Sequence, residues 1–124
     1  MQFHDFVGQV QSKAQMGTLD DAVHATRVTL QHLGRRLQDQ ERRHLASQLP
    51  EEIGHYLQEV QGEPEKFDAK EFFDRVSKEE RRDLPESVYH ARVVCDVLTN
   101  AISPGEVEHL KSQLPDDFIR VLES

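Results

Sequence analysis

The chain has 124 residues with 15 basic and 23 acidic side chains, for a net charge of −8. That length fits one domain with enough chain for a core, and a field of that sign repels phosphate backbones and anionic membranes, so neither nucleic acid nor membrane is an expected partner. The single cysteine, Cys95, excludes an internal disulfide and fits a reducing compartment, so the expected location is cytoplasmic.

Apolar residues make up 36% of the chain and the mean hydropathy is −0.69. They are periodic, which argues against disorder. Residues 1–62 carry 6 basic and 8 acidic side chains, and residues 63–124 carry 9 and 15. Met1-Gln2-Phe3-His4-Asp5 has neither a basic region nor an apolar core, so no secretory signal is expected. No apolar run approaches the length of a membrane span.

Phe3, Phe6, Val7 and Val10 predict a first helix from about Gln2 to Ala14, ended by Met16-Gly17. Thr18 is a cap for the next helix, about Leu19 to Arg36, with Asp21 in its first turn and Val23, Leu30, Leu33 and Leu37 as its stripe. A third helix, about Gln40 to Gln48, follows a cap at Asp39. A fourth runs from Pro50 to Val60 and stops at Gly62. Gln61-Gly62-Glu63-Pro64-Glu65 reads as a linker, and Asp68 with Glu71 as a capping box. The plan then returns: Ala69 to about Arg82, Pro85 to Ala101, Pro104 to Ser112, and Pro115 to Leu122. Ser103, Pro104 and Glu106 supply cap, first-turn proline and box carboxylate to the seventh helix. No strand signal is present.

The return is literal in places. Ser47-Gln48-Leu49-Pro50 recurs as Ser112-Gln113-Leu114-Pro115, an offset of 65, with Glu51-Glu52 and Asp116-Asp117 following. At the same offset Val23, Arg27, Val28, Leu33, Glu41, His44, Leu45 and Leu57 meet identical residues. One residue of slippage aligns Asp5-Phe6-Val7 and Val10 with Glu71-Phe72-Phe73 and Val76. A period this long marks a supersecondary unit that needs its sister to bury its apolar face. Proline fixes φ and lacks an N–H, so each block ends one helix and starts the next. The acids after it favour the positive end of the helix dipole.

A long apolar-striped helix (Val23 to Leu37), a short helix ending in Gln-Leu-Pro-acid-acid, and a Phe-containing helix before the second copy together resemble the domain of unknown function 2267 family. The resemblance covers essentially the whole chain. It implies a compact all-helical bacterial domain, and it implies no activity and carries over no catalytic residues.

Arg27 and Arg92 occupy matching places, each four residues past a valine and three before Leu30 or Cys95. Helical spacing puts both on or beside the buried stripe. They are expected to be partly buried against a carboxylate or helix-end carbonyl, with a paired anion site as the functional alternative. Cys95 aligns with Leu30 and reads as a buried, inert small hydrophobe. Arg35-Arg36, Arg42-Arg43 and Arg81-Arg82 are interleaved with acids and read as solvated helix faces.

Of the seven histidines, His4, His24, His32, His55 and His90 share no metal spacing. Glu41-x-x-His44 and Glu106-x-x-His109 are the exception, with Glu52-x-x-His55 a third instance. Carboxylate-iron bundles use two such pairs plus two further glutamates. Against that, Glu106 already serves as a cap. The two pairs also begin helices expected at the ends of their units, where carboxylates meet water. They are therefore not expected to converge, and no metal, cofactor or catalytic residue is assigned.

The expected fold is all-α: about eight helices in a single domain, 1–124, built of two four-helix repeats (about 1–62 and 63–124) around a pseudo-twofold axis. The expected function is a non-enzymatic cytoplasmic interaction or regulatory module with an unknown protein partner, monomeric or homodimeric. The alternative is a carboxylate–histidine metal-binding protein, possibly an enzyme.

Overall fold

Thr18 Oγ1 accepts the Asp21 N–H at 3.0 Å, and Asp68, Asp83 and Ser103 accept the N–H of Glu71, Glu86 and Glu106 at 2.8, 3.0 and 3.1 Å. Each satisfies an otherwise orphaned donor of a first turn. These caps help set the order of elements in the computed structural model, which describes residues 1–123. The helices are α1 (Phe3–Lys13), α2 (Leu19–Arg35), α3 (Asp39–Ala46), α4 (Glu51–Gln58), α5 (Ala69–Glu80), α6 (Leu84–Ala101), α7 (Pro104–Ser112) and α8 (Asp116–Leu122). Among the described residues there is no strand, and no helix is long and apolar enough to cross a membrane.

The starts differ in detail from the sequence reading. Gln38, not Asp39, stands at the N-cap of α3, and Pro50 and Pro115 stand at the N-caps of α4 and α8 rather than inside them. At α5 the capping box is half formed. Asp68 caps, but the Glu71 carboxylate turns to Arg75 at 3.0 Å. One acid after the second block has a partner no local rule foretells: Asp117 Oδ2 accepts the Ala69 N–H at 2.7 Å. It thereby tends the N-terminus of α5 from α8.

The two long helices are central. α2 packs against α1, α4, α5 and α6, and α6 against α1, α2, α5 and α8. Their apolar faces meet Phe6 and Val10 of α1, Phe72 and Val76 of α5, Ile53 and Leu57 of α4, and Phe118 of α8, all buried. Burying each such side chain contributes about 1.5–3 kcal/mol. Cys95 lies in this core with no exposure, and burial pushes its thiol up to about 12. It is the inert hydrophobe its alignment with Leu30 suggests.

The arginine that enters the core is Arg42, 1% exposed. Its Nη1 donates to the carbonyls of Gly34 and Leu37 at 3.0 and 2.8 Å, and Nη2 to that of Gly62 at 2.7 Å. It closes the C-terminus of α2 and pins the turn after α4, where Gly62 takes φ +96°. The sequence reading put Arg42 on a solvated face. At the offset of 65 its counterpart is Val107, an apolar residue.

α4 lies close against the end of α3 because Gly54 has no side chain. A Cβ there would meet the Ala46 carbonyl oxygen at 2.8 Å. The equivalent position of α8 is Ile119, so α8 cannot copy this approach.

Candidate functional site

α3 and α7 each begin just after a long helix, and each carries Glu-x-x-His at its start. Three residues is nearly one helical turn, so glutamate and histidine project from the same side. The structure brings the two pairs together. Glu41, His44, Glu106 and His109 each offer a donor atom, and the four atoms all lie within 4.8 Å of one another.

The pairing runs crosswise between the halves of the chain. His109 Nδ1 lies 2.8 Å from Glu41 Oε2, and His44 Nδ1 lies 3.1 Å from Glu106 Oε2. His109 Nδ1 is also 3.9 Å from Glu106 Oε1. The imidazole rings stand edge to face with centroids 5.8 Å apart. The carboxylates form the floor, their side chains 3% and 2% exposed, and the imidazoles form a half-exposed rim. A groove of about 550 Å³ opens beside them, lined by Gln38, Gln40, Arg43, Ser47 and Gln113.

The floor is short of donors. Neither oxygen of Glu41 has an N–H or alcohol donor, nor does Oε1 of Glu106. The imidazole contacts have ion-pair distance without hydrogen-bond alignment. Burial, then a hydrogen bond with the Glu106 carboxyl and the charge of that group, pushes Glu41 up to about 8. Two buried carboxylates facing each other are costly when both are ionised, and a shared proton or a cation relieves the cost.

The expectation that the pairs stay apart is thus overturned. Each pair does sit at the end of a long helix, but those ends lie on the same side of the molecule. The capping role given to Glu106 also fails. The Ser103 N–H that its carboxylate was to accept is taken by Gln48 Oε1 at 2.9 Å, from the Ser-Gln-Leu-Pro block of the other half. Gln48 thereby leaves Glu106 to the cluster. Ser47 and Ser112 each close their own block, donating Oγ–H to the His44 and His109 carbonyls at 2.6 Å.

Arg27 and Arg92 do not form a site, and they are exposed rather than partly buried. The buried face of α2 runs through Ala22, Ala25, Thr26, Thr29 and Leu33, which leaves Arg27 outside it. Arg27 does find a carboxylate, Glu59 at 2.9 Å, and lies 5.9 Å from the Tyr56 ring. Arg92 lies 6.0 Å from the Phe73 ring. Their contacts are in separate halves, so no paired anion site results. Among the other histidines, His32 Nε2 meets Glu79 at 2.8 Å and His90 Nδ1 meets Glu80 at 2.5 Å. His55 is exposed and does not join the cluster.

A family model described as an uncharacterized conserved protein, DUF2267, matches residues 3–121. No curated protein matches the chain.

Proposed function

Because the chain belongs to the DUF2267 family of uncharacterized conserved proteins, which brings no activity with it, we propose a function from the chain's own geometry: it is a metal-dependent helical module in which one divalent transition-metal ion ties α3 to α7. The observation that carries this reading is the convergence of two imidazoles and two donor-poor buried carboxylates within 4.8 Å.

The donor set and its dimensions favour one ion over two. Ligands about 2.1 Å from a tetrahedral ion are about 3.4 Å apart, so donors now up to 4.8 Å apart must draw in by up to about 1.4 Å on binding. A bridged pair of ions about 3.5–4 Å apart would call for further carboxylates, and the cluster has two. Mixed nitrogen and oxygen donors suit zinc, iron or manganese. Four protein ligands complete a tetrahedral zinc sphere, the pattern of structural rather than catalytic zinc. The module is therefore read as non-enzymatic. Its regulation lies in the tie itself: binding free energy at such a site becomes folding free energy.

The proposal includes the architecture expected from the sequence: two four-helix repeats about a pseudo-twofold axis. The exchanged contacts support it, since α1 packs on α6 as α5 does on α2, and His44–Glu106 mirrors His109–Glu41. A cytoplasmic place in a bacterial cell accords with one buried cysteine and with the resemblance. A protein partner, rather than nucleic acid or membrane, accords with the acidic charge.

Cobalt(II) titration of untagged, metal-free protein tests the reading. A saturating set of visible bands of tetrahedral intensity at one ion per chain is expected, absent in His44→Ala/His109→Ala. A spectrum no different from cobalt in buffer would refute it.

A further inference from the structure

A second cavity, of about 320 Å³, lies between the α1–α2 and α5–α6 turns. His90 and Glu80 form part of its wall, with side chains 10% and 3% exposed. Glu80 is fully engaged: Ser87 Oγ–H donates to Oε1 at 2.7 Å, and His90 Nδ1 lies 2.5 Å from Oε2. A neutral ring that donates its Nδ1 hydrogen to this carboxylate presents the lone pair of Nε2. No described residue takes Nε2. A carboxylate that fixes the tautomer and direction of an imidazole is the usual support of a histidine whose other nitrogen has a ligand.

The chain supplies its own control for the alternative that this network only holds the fold together. This comparison rests on the repeat reading and is independent of the metal centre. In the repeat alignment, Glu80 corresponds to Ala14 at an offset of 66, and Ser87 and His90 to Ala22 and Ala25 at 65. All three alanines are buried, at 6%, 0% and 0% exposure. The same corner of the fold thus packs with three methyl groups in one half and with a buried glutamate, serine and histidine in the other. Buried ion pairs are weak stabilisers compared with apolar packing, so packing alone does not account for the polar version.

The rest of the wall states what the cavity would take. Asp21 and Glu86 line it beside His24 and one guanidinium, Arg82, which sits 3.7 and 3.8 Å from their oxygens. With both Glu80 oxygens taken by Ser87 and His90, two further carboxylates meet one guanidinium. Such a wall accepts N–H donors and attracts positive charge. We infer that this cavity is a binding site for a small ligand bearing a primary ammonium group, with Nε2 of His90, oriented by Glu80, as its central acceptor.

The test uses 1,4-diaminobutane as probe and the imidazole ¹⁵N resonances of the whole protein as readout. Before addition, His90 should show hydrogen on Nδ1 and a bare Nε2. On titration, Nε2 should shift saturably, and tetramethylammonium at equal ionic strength, which has no N–H, should not reproduce the shift. Asp21→Asn/Glu86→Gln should weaken binding about tenfold. Glu80→Ala/Ser87→Ala/His90→Ala, which copies the sister half, should melt within a few degrees of the parent and bind no diamine by calorimetry. A hydrogen on Nε2, an unsaturable shift, or an equal response to tetramethylammonium overturns the inference. So does a triple variant that unfolds, because the network is then structural.

Discussion

Nδ1 of His109 lies 2.8 Å from Oε2 of Glu41, although the residues are 68 positions apart in the chain. One belongs to α7 and the other to α3, and neither helix alone can assemble a ligand set. The contact therefore ties the chemistry of the site to the way the two halves pack. Anything that separates α3 from α7 dismantles the centre, and anything bound at the centre holds them together.

The metal-free protein should lose stability as pH rises. Glu41 has its carboxyl raised to about 8, from an ordinary 4.5. A raised acid binds its proton more tightly folded than unfolded, so its stabilising effect is complete below about 4.5 and is lost as pH climbs through about 8. Urea midpoints of metal-free protein between pH 5 and 9 should fall over that window. Glu41→Gln, which cannot ionise, should flatten the slope. A parent midpoint that rises steadily to pH 9 would show that the carboxylates are not packed as described.

Arg42 and Arg27 should behave very differently. Arg42→Ala removes a buried cation from three carbonyls and should cost about 3 kcal/mol or more, at about 1.5–3 kcal/mol for each hydrogen bond to a charged group, less what relaxation recovers. Arg27→Ala and Arg92→Ala touch exposed contacts and should cost about 0–1 kcal/mol each. Chemical denaturation of the three variants decides the order, and a large effect at Arg27 would contradict the exposed placement.

Gly54 and Gly34 offer a paired test of the packing of α4. An alanine Cβ at 54 would press on the Ala46 carbonyl at 2.8 Å, whereas at 34 it would meet Val60 at an ordinary 3.5 Å. Gly54→Ala should cost about 1–3 kcal/mol through overpacking. Gly34→Ala should be neutral or stabilise by up to about 1 kcal/mol through helix propensity. Thermal melts of the two variants suffice, and a Gly54→Ala protein that melts like the parent would contradict the close α3–α4 approach.

The helices were legible because their signals are local. Thr18, Asp68 and Ser103 are caps by residue type, and the prolines after each Gln-Leu pair mark helix starts wherever the helices end up. The cluster was half legible. Glu-x-x-His at matching places in two copies identified all four residues, since spacing of three puts each pair on one side of its helix. Their meeting was not legible, because nothing local says how one half is turned against the other. Nor could any local rule foresee that Gln48 would take the Ser103 N–H and free Glu106. The arginines failed for a related reason. Val23 and Leu30 suggested a stripe through Arg27, but the buried face of α2 is centred a step away, on Ala22, Thr26 and Thr29. The alignment of Arg42 with Val107 was the available sign that the buried arginine lay elsewhere.

The central claim is that Glu41, His44, Glu106 and His109 hold one metal ion. Elemental analysis of protein made without an affinity tag, in medium supplemented with zinc, iron and manganese and then freed of unbound metal, tests it most directly. The account predicts about one transition-metal ion per chain in the parent and none in His44→Ala/His109→Ala. A parent with no stoichiometric metal, or a variant that keeps the parent's content, would contradict it.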